Sequence, residues 1–146
     1  MKKDYLIQKT SINHYKHLLQ YILKKGKKNT LENHFKKGVF FWMKSIPEKN
    51  FKTTLTNAFL NTTPYVSVKT KRKGSKNIYL PLKITKKRGK YLSAKWLLTN
   101  SFAKQKRNFY EGIVEELIDS SLKKSLSVKK RDELHKLADE SLVNLK

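Results

Sequence analysis

The sequence predicts an all-α fold: a bundle-like domain of six helices, with one protruding basic β-hairpin between helices three and four. Three observations carry this expectation. Apolar residues recur at helical spacing along most of the chain. The period falls to two only between Val66 and Ile84, where β-branched and aliphatic residues alternate on both sides of Lys-Arg-Lys-Gly-Ser-Lys-Asn. The charge is lopsided, with 34 Lys and Arg against 11 acids and a net charge of +23 over 146 residues. A free domain with that charge repels itself, so a polyanionic partner is the economical explanation. The length suits one domain, residues 1–146, with 1–11 as a basic N-terminal extension and 66–84 as an arm.

The first helix is expected from Asn13 to Lys25, with Ile12, Tyr15, Leu18, Leu19 and Ile22 on one face and Gly26 ending it. Asn29, three residues before Glu32, suits a capping box that opens a second helix to about Lys44. Its inward residues would be Leu31, Phe35, Val39, Trp42 and Met43, and Ile46-Pro47 interrupts it. Asn50 caps a third helix, Phe51 to Asn61, with Phe51, Leu55, Ala58 and Phe59 inward, and Thr63-Pro64 forces an extended exit.

In the hairpin, Val66, Val68 and Thr70 alternate with Ser67, Lys69 and Lys71, and Ile78, Leu80, Leu82 and Ile84 with Tyr79, Pro81 and Lys83. Gly74 supplies the positive φ of a tight tip, expected over Lys71 to Asn77, and Pro81 demands an edge strand. Lys86-Lys87-Arg88-Gly89-Lys90 then bridges to a fourth helix that ends near Phe102, with Tyr91, Leu92, Trp96 and Leu97 inward. Asn108 would cap a fifth, burying Phe109, Ile113, Val114 and Leu117 and leaving Glu111, Glu115 and Glu116 solvated. Ser125 to Val128 breaks the pattern. A sixth helix follows from Lys129 to about Asn144, with Leu134, Leu137, Ala138, Leu142 and Leu145 on one face.

Composition excludes several chemistries. There is no cysteine, hence no disulfide, thiolate metal site or thiol nucleophile. Between Lys49 and Tyr110 there is no Asp or Glu, while sixteen Lys or Arg occur, so the carboxylates that acid–base or metal catalysis needs are missing from the centre. His14 and His17 lie three apart on one helix without an acid placed to complete a site, and a packing or surface role is expected for them. We therefore expect no enzyme, no cofactor and no metal. No apolar run is long enough to span a membrane, and the N-terminus carries neither a signal core nor an Arg-rich transit pattern. Heavy use of Lys, Asn, Ile, Phe and Tyr suits an AT-rich coding sequence, as in an organellar genome.

Only Arg72, Arg88, Arg107 and Arg131 are arginines; the remaining cations are lysines, point charges suited to phosphate more than to bidentate base reading. The candidate polyanion-binding residues, RNA-binding ones under the resemblance given below, are Lys69, Lys71, Arg72, Lys73 and Lys76 on the arm, Lys86, Lys87, Arg88 and Lys90 after it, and Lys95 beside Trp96. Lys27 and Lys28, Arg107, and Lys129, Lys130 and Arg131 complete the set. The cations at 86–90 and 129–131 sit near helix N-termini, where the dipole disfavours them unless a partner compensates. Tyr65 and Tyr79 could stack on bases or pack internally.

The segments Gly26-Lys-Lys-Asn-Thr30, Ala58 to Asn61 with Pro64, Val66-Ser-Val-Lys-Thr-Lys-Arg-Lys-Gly74, Pro81, Ala94-Lys-Trp96, Glu116-Leu117 and Val128-Lys-Lys-Arg-Asp-Glu-Leu-His-Lys-Leu-Ala138 carry a resemblance. Over roughly Ile12 to Ser141 the chain resembles the bacterial and organellar form of ribosomal protein S-seven. It departs from that pattern in Ser75 for a second tip glycine, Tyr79 one position late, Arg88-Gly89 for an Arg pair, and an end near Lys146 where bacterial relatives continue. The resemblance implies a structural constituent of the small ribosomal subunit that binds the 3′ major (head) domain of its rRNA and nucleates head assembly. It also implies a hairpin near the exit-site tRNA and mRNA path, and protein neighbours of the head and platform. The expected location is a ribosome of the mitochondrial matrix, organelle-encoded, with plastid or bacterial cytoplasm as alternatives. A winged-helix nucleic-acid-binding regulator is the competing reading; it requires a recognition helix ahead of the hairpin, for which Phe51 to Asn61 offers only Asn57 and Asn61 beside threonines.

Overall fold

A computed structural model describes residues 14–23, 26–45, 50–104, 106 and 108–145. The expected N-terminal extension, Ile12, Asn13, Lys24, Lys25, Ile46-Pro47 and Arg107 lie outside the described residues, as do the side chains of Asn144 and Leu145. In chain order the elements are α1 (residues 14–22), α2 (Lys28–Ser45), α3 (Phe51–Thr62), β1 (Val66–Lys73), β2 (Lys76–Lys83), α4 (Lys86–Ala103), α5 (Phe109–Ser121), α6 (Leu126–Ser141) and a closing 3₁₀ turn (Leu142–Leu145). The all-α class with a hairpin between the third and fourth helices is what the periodicity predicts.

One apolar core joins α1 to α5. Leu18 and Leu19, Phe35, Leu55, Ala58, Phe59, Ala94, Leu97, Leu98, Ile113 and Leu117 form it, with Tyr15, Ile22, Leu31, Phe51 and Phe109 against its edge. Trp42 is buried as expected and packs edge-on against Phe51 at 5.6 Å. Asn50 caps α3, its Oδ1 accepting from the Lys52 N–H at 2.9 Å.

Several local expectations are corrected. Asn29 lies inside α2 and does not cap it, because the helix already starts at Lys28, whose N–H donates to the Gly26 carbonyl. Met43 and Tyr91 are exposed and Trp96 and Leu92 half-buried. The inward stripe of α4 is Ser93, Ala94, Leu97, Leu98 and Ser101, where small residues let α3 and α5 approach. Gly89 shows the same closeness: a Cβ there would come within 2.9 Å of the Pro64 carbonyl oxygen, so α4 starts hard against the α3–β1 connection. Ser125 to Val128 is no break, since Ser125 is the cap of α6 and its Oγ accepts from the Val128 N–H. Leu137 and Leu142 are exposed; Ala138 and Val128 are the buried apolar residues of α6.

The hairpin register pairs Val66 with Lys83, Val68 with Pro81, Thr70 with Tyr79, Lys71 with Ile78 and Lys73 with Lys76. Directly opposed residues share a face. The apolar residues of β1 therefore face with Pro81 and Tyr79, and the apolar residues of β2 face with Lys69 and Lys71. The turn is shorter than the sequence suggests: Gly74 and Ser75 alone link the strands. Gly74 has φ +61°, in the left-handed region, while Ser75 is not in that region. A single tip glycine is thus enough, which explains how serine is accommodated beside it. The base of the ribbon rests on α6 and the closing 3₁₀ turn.

Candidate nucleic-acid interface

The arm presents its cations in order. Lys69, Lys71 and Lys73 alternate onto one face of β1, and Lys76 opposes Lys73 on that face. At about 3.3 Å per residue, the three β1 lysines span roughly 13 Å in steps of about 7 Å. All are exposed, and Arg72 lies on the other face with its Nε donating to the Gly74 carbonyl. Like charges directly opposed across a ribbon cost stability in water. Lys73 and Lys76 are such a pair.

A second group sits at the start of α4. The residues read as a bridge are the helix's first turn: Thr85 caps it, its Oγ1 accepting from the Arg88 N–H. Lys86, Lys87 and Arg88 are exposed there and Lys90 is half-buried. Free backbone N–H groups and the positive end of the helix dipole favour an anion at this helix start, and the cations of the first turn ring it. Further along the same exposed stripe come Tyr91, on whose ring the Arg88 guanidinium lies at 5.1 Å, and then Lys95.

The remaining candidates divide. Lys27 is exposed in the α1–α2 connection and Lys28 at the first position of α2, 3.7 Å from Glu32. Lys129 is exposed on α6. Lys130 instead turns inward, donating to Asn100 Oδ1 at 2.9 Å, and Arg131 donates to the Asn61 carbonyl and to Asp132. These two cations sit a turn beyond the start of α6, not in its opening turn, because the helix begins at Leu126. Asn61, one of the two polar residues a recognition helix would have used, spends its side-chain amide on the Ser120 and Ser121 carbonyls.

Sequence reasoning missed the polar junction that holds α6. Glu116, expected to be solvated, is 1% exposed. Ser127 Oγ donates to its Oε1 at 2.7 Å, Asn100 Nδ2 donates to Ser127 Oγ at 2.9 Å, and Lys104 Nζ lies 3.2 Å from its Oε2. Burial alone would lower the Lys104 pKa, but hydrogen bonds to Asp119 and Glu116 more than reverse it and hold the ammonium above the ordinary lysine value. The signal was present: Glu116 falls between Ile113 and Ser120 on the apolar face of α5.

His14 is buried and stacked on Phe59, ring centroids 4.5 Å apart. Burial, with the charges of Lys90 and His17 adding to it, holds its pKa at about 4 against the ordinary 6.5. It is a packing residue. His135 accepts the Tyr65 N–H on Nε2 at 3.2 Å and so ties α6 to the entry of the arm.

Comparison with known proteins finds relatives over most of the chain. The family described as Ribosomal protein S7p/S5e matches residues 2–141. The small ribosomal subunit protein uS7c of Ostreococcus tauri is 34% identical over 125 residues, covering 84% of this chain and 78% of its own length. The small ribosomal subunit protein uS7 of Mycoplasma mobile is 34% identical over 122 residues, with the same coverage of 84% and 78%. The uS7c protein of Chlorella vulgaris is 38% identical over 82 residues, 56% of this chain and 53% of the relative.

Proposed function

This chain belongs to the ribosomal protein S7p/S5e family and is a structural constituent of the small ribosomal subunit; from that premise we propose that it binds the 3′ major (head) domain of small-subunit rRNA, nucleates head assembly, and lines the exit-site tRNA and mRNA path with its arm. The observation that carries the reading is the row of exposed lysines on one face of the hairpin, set beside a cationic helix start in an acid-free stretch. The role is structural rather than catalytic.

In this reading the chain works as one RNA-binding domain. Lys69, Lys71, Lys73, Lys76 and Arg72 reach into the RNA. The start of α4 (Lys86, Lys87, Arg88, Lys90) and Lys27, Lys28, Lys95 and Lys129 meet phosphates on the body. Arg107 belongs with them by its place in the basic stretch. Lys130 and Arg131 serve the interface by holding α6 against α3 and α4. Neighbouring ribosomal proteins of the head and platform complete its surroundings. We place it in an organellar ribosome, the mitochondrial matrix first and a plastid or the bacterial cytoplasm as alternatives, on its Lys- and Asn-rich composition and its organellar relatives.

Cosedimentation of the endogenous protein with small ribosomal subunits from fractionated organelles tests assembly and compartment together. Binding to a head-domain rRNA fragment tests the interface. With about six to ten phosphates neutralised, log K should fall with log salt at a slope of roughly −4 to −9. A slope near zero would remove the phosphate-dominated reading.

A further inference from the structure

The outer face of α2 carries an aromatic and cationic surface that the arm and the start of α4 do not account for. Lys36, Lys37, Phe40, Phe41 and Lys44 recur at one-turn spacing on this face, opposite the buried Phe35, Gly38 and Trp42. Gly38 permits the close approach behind them, since a Cβ there would lie 3.2 Å from Tyr110 Cβ. That approach brings the Tyr110 ring of α5 edge-on to Phe41 at 6.3 Å. Together these side chains line a groove of about 500 Å³. Phe40 at its rim is 72% exposed. Among the described elements α2 packs on α3 and α5 and on neither the hairpin nor α6, so the groove stands apart from the arm.

We propose that this groove binds a single-stranded segment of RNA, with bases stacked on Phe40 and Tyr110 and phosphates held by Lys36, Lys37 and Lys44. The charge commits the occupant: every charged residue lining the groove is a lysine. Lysine is depleted at protein–protein interfaces, where arginine is the enriched cation, whereas aromatic rings flanked by basic residues are how single-stranded nucleic acid is held without sequence preference. Duplex RNA buries its base faces and could not cover Phe40 by stacking; an unpaired segment can. The inference rests on the ribosomal reading and adds to it a site on the body for unpaired nucleotides.

The test uses the full-length protein and two probes: a fluorescent short oligouridine, and a structured head-domain rRNA fragment. Phe40→Ala should weaken oligouridine binding roughly fivefold to a hundredfold, the range seen for loss of one base stack. Phe40→Tyr, which keeps a ring, should restore it. Replacing Lys36, Lys37 and Lys44 with Gln should make the oligouridine salt slope shallower by about two. Photo-cross-links from 4-thiouridine in the oligouridine should map to the peptides holding Phe40 and Tyr110. Equal oligouridine affinity for Phe40→Ala and the parent, at an unchanged melting temperature, overturns the proposal. So does a Phe40→Ala variant that binds both RNAs normally but assembles into subunits lacking a neighbouring protein, which would make the groove a protein dock. Failure of the parent protein to bind the structured fragment would instead strike the wider ribosomal reading.

Discussion

Lys71 on the arm and Lys104 at the end of α4 carry the same ammonium in opposite surroundings. Around Lys71 the nearest residues in the ribbon are Ile78 across the pair and further cations along the strand, and no acid follows it in sequence before Glu111. Lys104 sits between Asp119 and Glu116, half out of water, its charge neutralised within the fold. Eight of the eleven acids fall between Glu111 and Glu140, on α5 and α6, and that distribution decides which cations are spent internally. The chain's net charge is therefore not spread evenly. Lys104 stabilises the body between two carboxylates, whereas the lysines of the arm and the α4 start have no acid near them in sequence.

Among the internally paired charges, Glu116 should matter most to the fold. Its carboxylate is buried under Ser127 and Lys104, and removing one member of a buried pair leaves the other charge uncompensated. Glu116→Ala should cost about 3–5 kcal/mol of unfolding free energy, read by urea denaturation. Glu116→Gln should recover part of this, because it still accepts from Ser127. A loss below about 1 kcal/mol for the Ala variant would show that the junction is surface decoration and that α6 is held by Val128 and Ala138 alone.

His14 is the opposite case, a basic group buried with cations rather than acids around it. Its folded pKa of about 4 lies below the ordinary 6.5. Between those values the unfolded chain binds more protons than the folded one, so stability rises with pH and is lost as the solution is acidified from about 6.5 toward 4. The full difference is at most about 3.5 kcal/mol, since one pKa unit is worth about 1.4 kcal/mol. Melting curves at pH 7 and pH 4.5 should show this loss, and His14→Phe should flatten it. An unchanged pH profile in that variant would place the titrating group elsewhere.

The fold was largely legible and the polar joints were not. Helical periodicity located every helix of the core, since Leu18, Phe35, Leu55, Leu97, Ile113 and Leu117 are strongly apolar and recur at i, i+3 and i+4. Capping at Asn50 was visible because an Asx residue preceded a clean apolar stripe. Glu116 was misplaced because residue type outweighed its position: a lone acid on an apolar face is read as solvated until a partner from another helix is known, and Ser127 and Asn100 come from helices that sequence does not register against α5. The hairpin faces were hidden for a similar reason. Alternation gives each strand its two faces, and only the turn length fixes which face of one strand meets which face of the other. Among the candidate cations, Lys130 and Arg131 looked the same as Lys129 in sequence; the difference lies in Asn100 and the Asn61 carbonyl, supplied by α4 and α3.

The smallest stability effect should belong to the largest change of charge. Replacing Lys69, Lys71, Lys73 and Lys76 with Gln removes four positive charges from exposed positions that make no ion pair among the described residues. Surface substitutions of this kind stay within about 0.5 kcal/mol, and relief of the Lys73–Lys76 repulsion works in the stabilising direction. The melting temperature should hardly move. Binding to the head-domain fragment should change strongly, its salt slope becoming shallower by about three to four, near one unit for each phosphate no longer neutralised. The reciprocal variant is Lys104→Gln. It removes a single charge, strands the Glu116 carboxylate in the interior, and should lower stability by about 2–4 kcal/mol while leaving the salt slope as it was. The two variants thus exchange outcomes, charge for charge, if position rather than residue type decides a lysine's work. A quadruple arm variant that loses its cooperative melt, or a Lys104→Gln variant whose salt slope falls as far as the arm variant's, would show that stabilising and RNA-facing cations are not separated in this fold.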